Sequence, residues 1–545
     1  MLPPRPLPLS VLRRSRRALS SDAAAASLSW ARPDAVDYLK EVLESRVYDA
    51  AVATPLQPAP SLSAALGVRR LLLKREDLQP TFSFNLRGAH NKMAQLSPAQ
   101  RARGVVACAA GNHLQGVAFS AQRLGIDAVV VTPVGTAQHR RLPPGAAVRV
   151  IEHGSDFDAA LREAHRIAQR EGRALVHPFD DPLVIAGNGT IALEILQDTA
   201  GDWPDAIFAP VGGGGLLAGL AAFVKEVAPA VRVIGVEPEG ATLLQTSRAR
   251  HERVTLPPPV NRFTDDVGIR ALGDETFRLC SRLVDDVVTV STDEICAAIK
   301  DVFGDTRALL EPSGALSVAG AKKYARAQPR DARAGASYVA VLAAANMDFD
   351  RLRFVAERSD DRERFMSVKI PELKGSFQRL YHVIYPRNVT EFTYRLSSER
   401  ATTAHVCMSI QTPTADEFDA VVAAINAQPD MTATDLSANE LAKSHLRHLA
   451  GGHARDVAHE RLVRLEFPER PGALKDFLDS LDATSEARWN VSLFHYRNHG
   501  ADIGRVLVGF QVPPADDAAF RSFLRQLGFR SVDETHNPAY AQFLK

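Results

Sequence analysis

Between residues 34 and 350, short apolar, β-branched runs alternate with longer stretches whose apolar residues recur every three or four positions. The runs predict buried strands and the stretches predict amphipathic helices, so this region is expected to be an α/β domain with mainly parallel sheets. Its length favours two α/β layers facing one another, with ligands bound beyond the carboxyl ends of the strands. The predicted strands are 104–108, 128–132, 148–151, 207–209, 231–236, 287–290 and 338–342, and the predicted helices include 161–171, 190–197 and 293–303.

Four consecutive glycines, Gly212 to Gly215, separate the apolar strand at 207–209 from a helical pattern that begins at Leu216. Residues without Cβ let the backbone turn sharply and bring several N–H groups close to one ligand, while the following helix adds the positive end of its dipole. We therefore expect a phosphate site here, and the alternative is a plain glycine-rich turn. The spaced glycines of dinucleotide sites and the Walker lysine are both missing, so the glycines alone leave the kind of phosphate open.

Beyond residue 361 the pattern changes to two copies of one unit. Segment 371–377 recurs as 468–474, and segment 388–395 recurs as 490–497. Each copy reads strand, glycine turn, helix and further strands, including 405–410 and 505–512, which predicts small α+β, ferredoxin-like modules at 365–440 and 460–533. The charged stretch 351–364 is the expected linker to the first domain, and 437–459 separates the copies.

Composition narrows the class of protein. The chain has 545 residues, 46% of them hydrophobic and 24% charged, and a formal net charge of +1, so it has the composition of a globular protein without a nucleic-acid footprint. The four cysteines are scattered without metal-ligand spacing, which predicts neither a disulfide framework nor a metal site and favours a reducing compartment. No apolar run approaches the roughly 18 residues that a membrane span needs.

The first 33 residues form an Arg-, Ser- and Ala-rich extension in which five arginines precede the first acid, Asp22. This composition is similar to that of an organellar transit peptide. The alternative is a disordered extension of a cytosolic protein. We expect a cytoplasmic location, with an organelle as the alternative.

Four loop motifs at the predicted strand ends are recognisable together. They are Ser83-Phe84-Asn85-Leu86-Arg87-Gly88, residues 109–116 with Gly111-Asn112-His113, the glycine run, and Glu311-Pro312-Ser313-Gly314-Ala315. In this order the chain resembles the biosynthetic threonine dehydratases, fold type II (tryptophan synthase β-like) pyridoxal-phosphate enzymes, in the long form with two C-terminal ACT-like domains. The resemblance implies conversion of L-threonine to 2-oxobutanoate and ammonia, the first step of isoleucine biosynthesis. It also implies isoleucine or valine as effectors and a homotetramer, while the composition predicts no nucleic-acid or membrane partner.

The resemblance also implies roles for single residues. Gly212, Gly213, Gly214, Gly215 and Leu216 match the phosphate cup, Asn112 the contact to the cofactor's ring hydroxyl, and Ser313 the partner of the pyridine nitrogen. Ala109, Gly111 and His113 match a substrate site, in degenerate form. Taken alone, Ser313 after Pro312 also fits a helix N-cap, and Asn112 also fits a Gly-Asn turn. The ACT-like copies also fit dimerisation modules without a ligand.

The main departure from the family is Asn85. The family's motif carries a lysine there, which forms the Schiff base with the cofactor and moves the Cα proton, and an amide does neither. Losing a general base alone costs roughly 10²–10⁴-fold in rate. We therefore expect pyridoxal 5′-phosphate to be held non-covalently and turnover to be impaired. The alternative to an enzyme is an effector-binding regulatory protein on the same fold.

Other family positions have changed as well, and no neighbouring lysine is expected to compensate. Lys74 belongs to the structural frame, and Lys92 lies two helical turns from Asn85, about 10 Å along the axis. The other departures are Ala109 for a serine, Asp266 for a glycine, Ala343-Ala344 for a Ser-Gly pair, and Pro143-Pro144 where a helix is expected.

Overall fold

A computed structural model describes residues 36–109, 111–134, 142, 148–257, 263–264, 269–349, 351–359, 362–396, 402–439, 442, 457–468, 478–479, 489–497, 503–537 and 540. The chain divides into two compact units, Met1–Asp360 and Asp361–Lys545. The extension 1–33, the Pro143-Pro144 pair, Asp266 and the glycine turn of the second repeat copy lie outside the described residues.

The first unit is an α/β structure with two sheets. Its strands are β1 Leu56–Pro58, β2 Arg70–Lys74, β3 Val105–Cys108, β4 Ala128–Thr132, β5 Val148–Glu152, β6 Ala174–Leu175, β7 Ala206–Pro210, β8 Arg232–Pro238, β9 Asp286–Val290 and β10 Ser337–Val341. Its helices are α1 Tyr38–Leu43, α2 Pro60–Leu66, α3 Asn85–Ala94, α4 Pro98–Arg103, α5 Asn112–Leu124, α6 Phe157–Glu171, α7 Pro182–Asp198, α8 Gly215–Val227, α9 Leu243–Arg250, α10 Asp274–Leu283, α11 Thr292–Thr306, α12 Pro312–Ala327, α13 Arg330–Ala334 and α14 Arg351–Arg358. Short 3₁₀ turns occur at Val47–Asp49 and Glu76–Leu78.

The larger sheet has six strands in the order β1-β2-β10-β7-β8-β9, and all neighbours are parallel except β1 and β2. Its central strands are apolar on both faces because helices cover both sides. Along β7, Ile207 packs into one buried cluster and Phe208 into the cluster on the opposite face. Helix α8 is itself largely buried against β7 and β8, which fixes the strand-to-helix turn that carries the glycine run.

The smaller sheet has four parallel strands in the order β5-β4-β3-β6. Val105 and Cys108 of β3 belong to different apolar clusters, so this sheet is also covered on both faces. The prediction of mainly parallel sheets in two layers is confirmed, because parallel strands buried on both sides are the ones that read as continuous apolar runs.

The second unit contains one eight-stranded antiparallel sheet. Its strands are β11 Glu363–Pro371, β12 Val389–Arg395, β13 Thr403–Gln411, β14 Thr432–Asp435, β15 Glu460–Pro468, β16 Val491–Arg497, β17 Ile503–Gln511 and β18 Arg530–Asp533, and its helices include α15 Ser376–Ile384, α16 Ala415–Asn426 and α17 Asp517–Gln526, with a 3₁₀ turn at Pro514–Asp516. The order β14-β11-β13-β12-β16-β17-β15-β18 is symmetric about the β12–β16 pair.

The two repeat copies meet along β12 and β16. Phe392 pairs with Tyr496 and Tyr394 pairs with Phe494 in an antiparallel register. Because Phe392 and Phe494 occupy the same place in their copies, the register relates the copies by a pseudo-twofold axis at the Thr393–His495 pair. The internal repeat in the sequence thus becomes a paired module in the structure.

The predicted elements agree closely with the observed ones. The strand predicted at 231–236 is Arg232–Pro238, and the helix predicted at 293–303 extends over Thr292–Thr306. Ser291 and Glu294 form a reciprocal cap at the start of that helix. The stretch 351–364, expected to be a linker, contains helix α14 and the start of β11. Within the described part of the chain, no helix combines the length and apolar character needed to cross a membrane.

Candidate functional site

One pocket of the first unit collects residues that follow the carboxyl ends of strands in both sheets. Residues after β7 meet residues after β3 in the smaller sheet and after β10 in the larger one. This is where ligands bind in open parallel sheets. The pocket brings together the sequence-predicted site residues Asn85, Ala109, Gly111, Asn112, His113, Gly212, Gly213, Gly214, Gly215, Leu216 and Ser313.

The glycine run turns directly from β7 into α8. Gly214 is the N-cap of α8 and has a φ of 90°, a left-handed conformation that favours glycine. The Phe179 side chain packs directly against the turn, so that a Cβ on Gly213 would lie 2.2 Å from Phe179 Cδ1. The Thr276 hydroxyl donates to the Gly213 carbonyl at 2.8 Å. The backbone is therefore fixed, and the first-turn N–H groups of α8 lack intrahelical acceptors.

Asn85 is the first residue of α3 and is half-buried at the pocket wall. The Ser83 hydroxyl donates to Asn85 Oδ1 at 2.8 Å, and the Asn85 backbone N–H donates to Ser83 Oγ at 3.3 Å. Helix α3 is held in place by close contact with α7, where a Cβ on Gly187 would lie 2.7 Å from the Arg87 carbonyl oxygen. The amide of Asn85 is thus presented to the pocket from a rigid element.

The loop before Asn85 is clamped to the loop that follows β10. Ser83 and Ala344 form an isolated antiparallel bridge, and the Phe84 N–H donates to the Ala343 carbonyl at 3.0 Å. A Cβ on Gly314 would lie 2.0 Å from the Ala344 carbonyl oxygen, so α12 begins in contact with the same loop. The substituted pair Ala343-Ala344 therefore lies directly against the segment that carries the substituted position 85.

Glu311 connects the two residues matched to the cofactor ring. Asn112 Nδ2 donates to Glu311 Oε1 at 2.7 Å, and the Ser313 hydroxyl donates to the same oxygen. Asn346 completes the network, because its side chain donates to Asn112 Oδ1 at 2.7 Å and its backbone N–H donates to Glu311 Oε2 at 3.0 Å. Asn112 and Ser313 are held by one carboxylate although they begin different helices, α5 and α12.

The residues matched to the substrate site differ in their polarity. Gly111 is the N-cap of α5 with a φ of 58°, and Ala109 presents only a methyl group to the pocket while its N–H donates to Val131 at 3.0 Å. His113 Nε2 contacts the Val176 carbonyl at 3.2 Å, and burial lowers the pKa of His113 to about 4. The imidazole is therefore neutral at pH 7 and supplies no positive charge for a carboxylate.

The lysines close to Asn85 in sequence have other partners. Lys74 is fully buried and donates to Glu194 Oε2 at 2.5 Å, where Arg87 also contacts the Glu194 carboxylate, at 2.6 Å through Oε1. Burial would raise the pKa of Glu194, but Arg87 and Lys74 outweigh it and lower that pKa to about 2. Lys92 pairs with Asp181 at 2.7 Å. The prediction that neither lysine lies at the pocket agrees with its lining.

Sequence reasoning missed Glu311, Asn346 and Phe179 as parts of the site. Glu311 stands inside one of the four loop motifs and Asn346 follows the Ala343-Ala344 pair, but their bonds to Asn112 span 199 and 234 residues. Phe179 lies in a loop between β6 and α7 without a motif of its own. The only signal for Glu311 was its position just before Pro312 and Ser313.

Comparison with known proteins agrees with this geometry. Residues 47–343 match the family model of pyridoxal-phosphate dependent enzymes. Residues 355–446 and 451–544 each match the model of the C-terminal regulatory domain of threonine dehydratase. The first unit is therefore a fold type II pyridoxal-phosphate enzyme domain.

Relatives that match over most of the chain identify the family within this class of enzymes. The chain is 50% identical over 515 residues to the biosynthetic L-threonine dehydratase of Burkholderia multivorans, covering 93% of this chain and 99% of the relative. It is 47% identical to the mitochondrial threonine dehydratase of Saccharomyces cerevisiae, covering 93% and 89%. The solved structure of the processed form of threonine deaminase isoform 2 from Solanum lycopersicum matches at 42% identity and a TM-score of 0.55, covering 59% of this chain and 87% of that one. The chain belongs to the threonine dehydratase family, in the form with a C-terminal regulatory domain.

The pocket fits pyridoxal phosphate in one respect and not in another. Phe179 packs so closely against the glycine run that a Cβ on Gly213 or Gly215 would meet it. The backbone N–H groups of the run remain available to bind a phosphate. Asn112 and Ser313 present polar groups to the same pocket. Covalent attachment at position 85 does not fit, because Asn85 is an amide that forms no Schiff base and, by the resemblance, it occupies the place of the family's lysine. Residues of this chain can hold the group but cannot bond to it at position 85.

Proposed function

We propose that the pocket of the first unit binds pyridoxal 5′-phosphate together with L-threonine, and that the reaction for which the site is built is deamination of L-threonine to 2-oxobutanoate and ammonia. The observation that carries this proposal is the end-to-end relationship to the threonine dehydratase of Burkholderia multivorans. That relative is a biosynthetic L-threonine dehydratase, and we extend the activity to this chain as the entry to isoleucine synthesis. The cofactor, when bound, supplies the electron sink for such an elimination.

Different residues of the pocket serve different parts of this function. The backbone of Gly212 to Gly215 binds the phosphate, the Glu311 carboxylate orients Asn112 and Ser313, and the helix starts around the pocket supply further N–H donors. Asn85 does not move a proton from the substrate, because an amide has no basic nitrogen at neutral pH. The step that needs a base is therefore the one that this site performs poorly.

A second candidate function is favoured by Asn85 itself. It is that of a regulatory protein on the dehydratase fold, which binds amino acids and contacts other subunits but turns over little substrate. Ala109 and Ala343, which line the pocket, favour the same candidate, because by the family resemblance each replaces a serine and so removes a hydroxyl.

The pocket of the second unit fits an aliphatic amino acid effector. It lies between the loop that follows β11 in the first copy and residues of the second copy, with an apolar wall formed by Phe377, Trp489, Val491, Phe510 and Phe523. A wall of this kind suits a branched aliphatic side chain. The family model of a threonine dehydratase regulatory domain covers both copies, which supports isoleucine or valine as the effector.

Polar groups in the same pocket suit the charged end of an amino acid. Ser376 begins α15, and its buried hydroxyl has no hydrogen-bond partner among the described residues. Glu372 lines the pocket and accepts a hydrogen bond from the Tyr394 hydroxyl at 2.8 Å. We assign the α-carboxylate to the start of α15 and the ammonium group to Glu372.

We further propose a homotetramer and a cytoplasmic location. The relatives from yeast and tomato carry mitochondrial and chloroplastic names, which supports an organelle as the alternative. No membrane or nucleic-acid partner is proposed.

Two assays separate the candidates. Full-length protein saturated with pyridoxal phosphate is incubated with L-threonine, and 2-oxobutanoate and ammonia are measured; equal amounts of both above the enzyme-free rate support the first candidate. The chain is also mixed with an active, lysine-containing family member. A change in that partner's isoleucine response, without product from this chain alone, supports the second.

A further inference from the structure

The chemistry of position 85 decides how the pocket can select its cofactor. A lysine amine reacts with an aldehyde, and the resulting covalent link favours pyridoxal phosphate over chemically similar molecules that lack the aldehyde. Asn85 offers a neutral amide instead, and Oδ1 of that amide already accepts the Ser83 hydroxyl hydrogen at 2.8 Å. The amide nitrogen is not a nucleophile, so the aldehyde gains no bond at this position.

No other lysine of the first unit takes the place of Asn85. All lysines of residues 1–360 lie among the described residues, and none of them lines the pocket. Five of them form ion pairs with carboxylates, namely Lys74 with Glu194, Lys92 with Asp181, Lys225 with Asp285, Lys322 with Asp301 and Lys323 with Glu294. The other two are Lys40 and Lys300.

The contacts that remain act on parts of the molecule other than the aldehyde. The backbone around Gly213 can bind a phosphate. A hydrogen-bond network places hydroxyl and amide groups at the same pocket, and its members are Glu311, Asn112, Ser313 and Asn346. The phosphate, the ring nitrogen and the ring hydroxyl are shared by the aldehyde, amine and alcohol forms of phosphorylated pyridoxine. These forms differ only in the substituent that a lysine would attack.

We propose that this pocket is a phosphate-anchored, non-covalent site that binds pyridoxal, pyridoxamine and pyridoxine 5′-phosphates with similar affinity. The inference rests on the proposed function, because it concerns the same pocket and cofactor class. It goes beyond that function by making the ligand a class of phosphorylated pyridines rather than one aldehyde. Binding of the phosphate by a fixed backbone supplies most of the affinity. The substituent that a lysine would attack, which is an aldehyde, an amine or an alcohol, then changes the dissociation constant little.

The test uses full-length protein freed of cofactor by dialysis and titrated calorimetrically with each phosphate. We expect the three dissociation constants to agree within about fivefold, and pyridoxal without phosphate to bind at least about 100-fold more weakly. Borohydride reduction of the pyridoxal phosphate complex, followed by peptide mass spectrometry, should find no modified lysine. Asn85→Lys should create a preference for the aldehyde of at least about tenfold and a borohydride-stable adduct at residue 85.

The matched control is Asn85→Gln, which keeps the amide and adds one methylene. It should leave the ratio of the three affinities near that of the wild type, whereas a purely steric effect of a longer side chain would alter Asn85→Gln and Asn85→Lys alike. A wild-type preference for the aldehyde above about tenfold, or a reduced adduct on any lysine, overturns the inference even if threonine is deaminated. Equal binding of all three without deamination supports the inference and counts against the proposed reaction. Binding of none of them overturns both.

Discussion

The Ser83 hydroxyl donates to Asn85 Oδ1 at 2.8 Å, so the two residues form a closed polar pair at the pocket wall. By the resemblance of the motif 83–88, the family carries at position 85 a lysine, whose amine must stay available for the cofactor. In this chain the side chain at 85 is shorter and one of its two polar atoms is already used. Asn85 therefore offers no amine, and its Oδ1 is already hydrogen-bonded to the loop that carries Ser83.

A side chain at Gly213 should disrupt the glycine run and its binding of the cofactor. A Cβ there would lie 2.2 Å from Phe179 Cδ1, and Phe179 packs against Phe157 and His177 and has little room to move. Gly213→Ala should weaken binding of pyridoxal phosphate by at least about tenfold in calorimetry. Gly304→Ala is the matched control, because a Cβ at that position would meet nothing within 4 Å apart from its chain neighbours and the backbone of its own helix. Equal loss of affinity in both variants would count against the cup.

The pocket of the second unit should bind isoleucine or valine, with Ser376 as one of the contacts. Either amino acid should raise the thermal midpoint of the wild type, because a ligand selective for the native state stabilises it. Ser376→Ala should weaken that binding roughly tenfold or more by removing a donor to a charged carboxylate. Ser531→Ala, on edge strand β18 outside the pocket lining, should bind like the wild type. An absence of heat with both amino acids well above millimolar concentration would leave these modules an assembly role only.

The buried ion cluster at Glu194 should make stability depend on acid pH. The pKa of Glu194 is lowered to about 2, below its usual value near 4.5, so the folded state binds this proton less tightly than the unfolded state. The contribution is present above pH 4.5 and is lost as pH falls toward 2. Denaturant midpoints of the wild type should fall over this range. Glu194→Gln should be less stable at pH 7 and should show a smaller fall, and an unchanged slope would contradict this role.

Restoring the lysine alone should not restore full activity. Ala109 lines the pocket and, by the family resemblance, replaces a serine, whose hydroxyl as a donor to a charged carboxylate would contribute about 1.5–3 kcal/mol. Asp266, outside the described residues, adds a negative charge where the family has a glycine. Adding Ala109→Ser and Asp266→Gly to Asn85→Lys should therefore raise threonine deamination by a further factor of about ten or more. Turnover by the triple variant no faster than by Asn85→Lys would place the remaining defect elsewhere.

The sequence predicted the architecture well because its physical signals are local. The strand at Ala128–Thr132 is buried on both faces and reads as an unbroken apolar run, and the helix cap at Ser291 and Glu294 is written within four residues. The convergence of the glycine run with Asn112 and Ser313 also followed, because all of them follow carboxyl ends of strands or begin helices near them.

The parts that were missed depend on contacts between distant segments. Glu311 is an ordinary residue before a helix until the fold brings Asn112 to it across 199 positions. The steric role of Phe179 beneath Gly213 likewise exists only once two loops meet. No periodicity encodes such contacts, so a single sequence predicts which loops form the site better than it predicts which side chains join them.

The most direct test of this account compares wild-type protein with Asn85→Lys in the release of 2-oxobutanoate from L-threonine, at saturating pyridoxal phosphate and with residue 85 of each sample verified by mass spectrometry. We expect the lysine variant to exceed the wild type by at least about tenfold, because it regains the base that the amide cannot replace. Wild-type protein that releases 2-oxobutanoate at a rate the lysine variant does not exceed would contradict it.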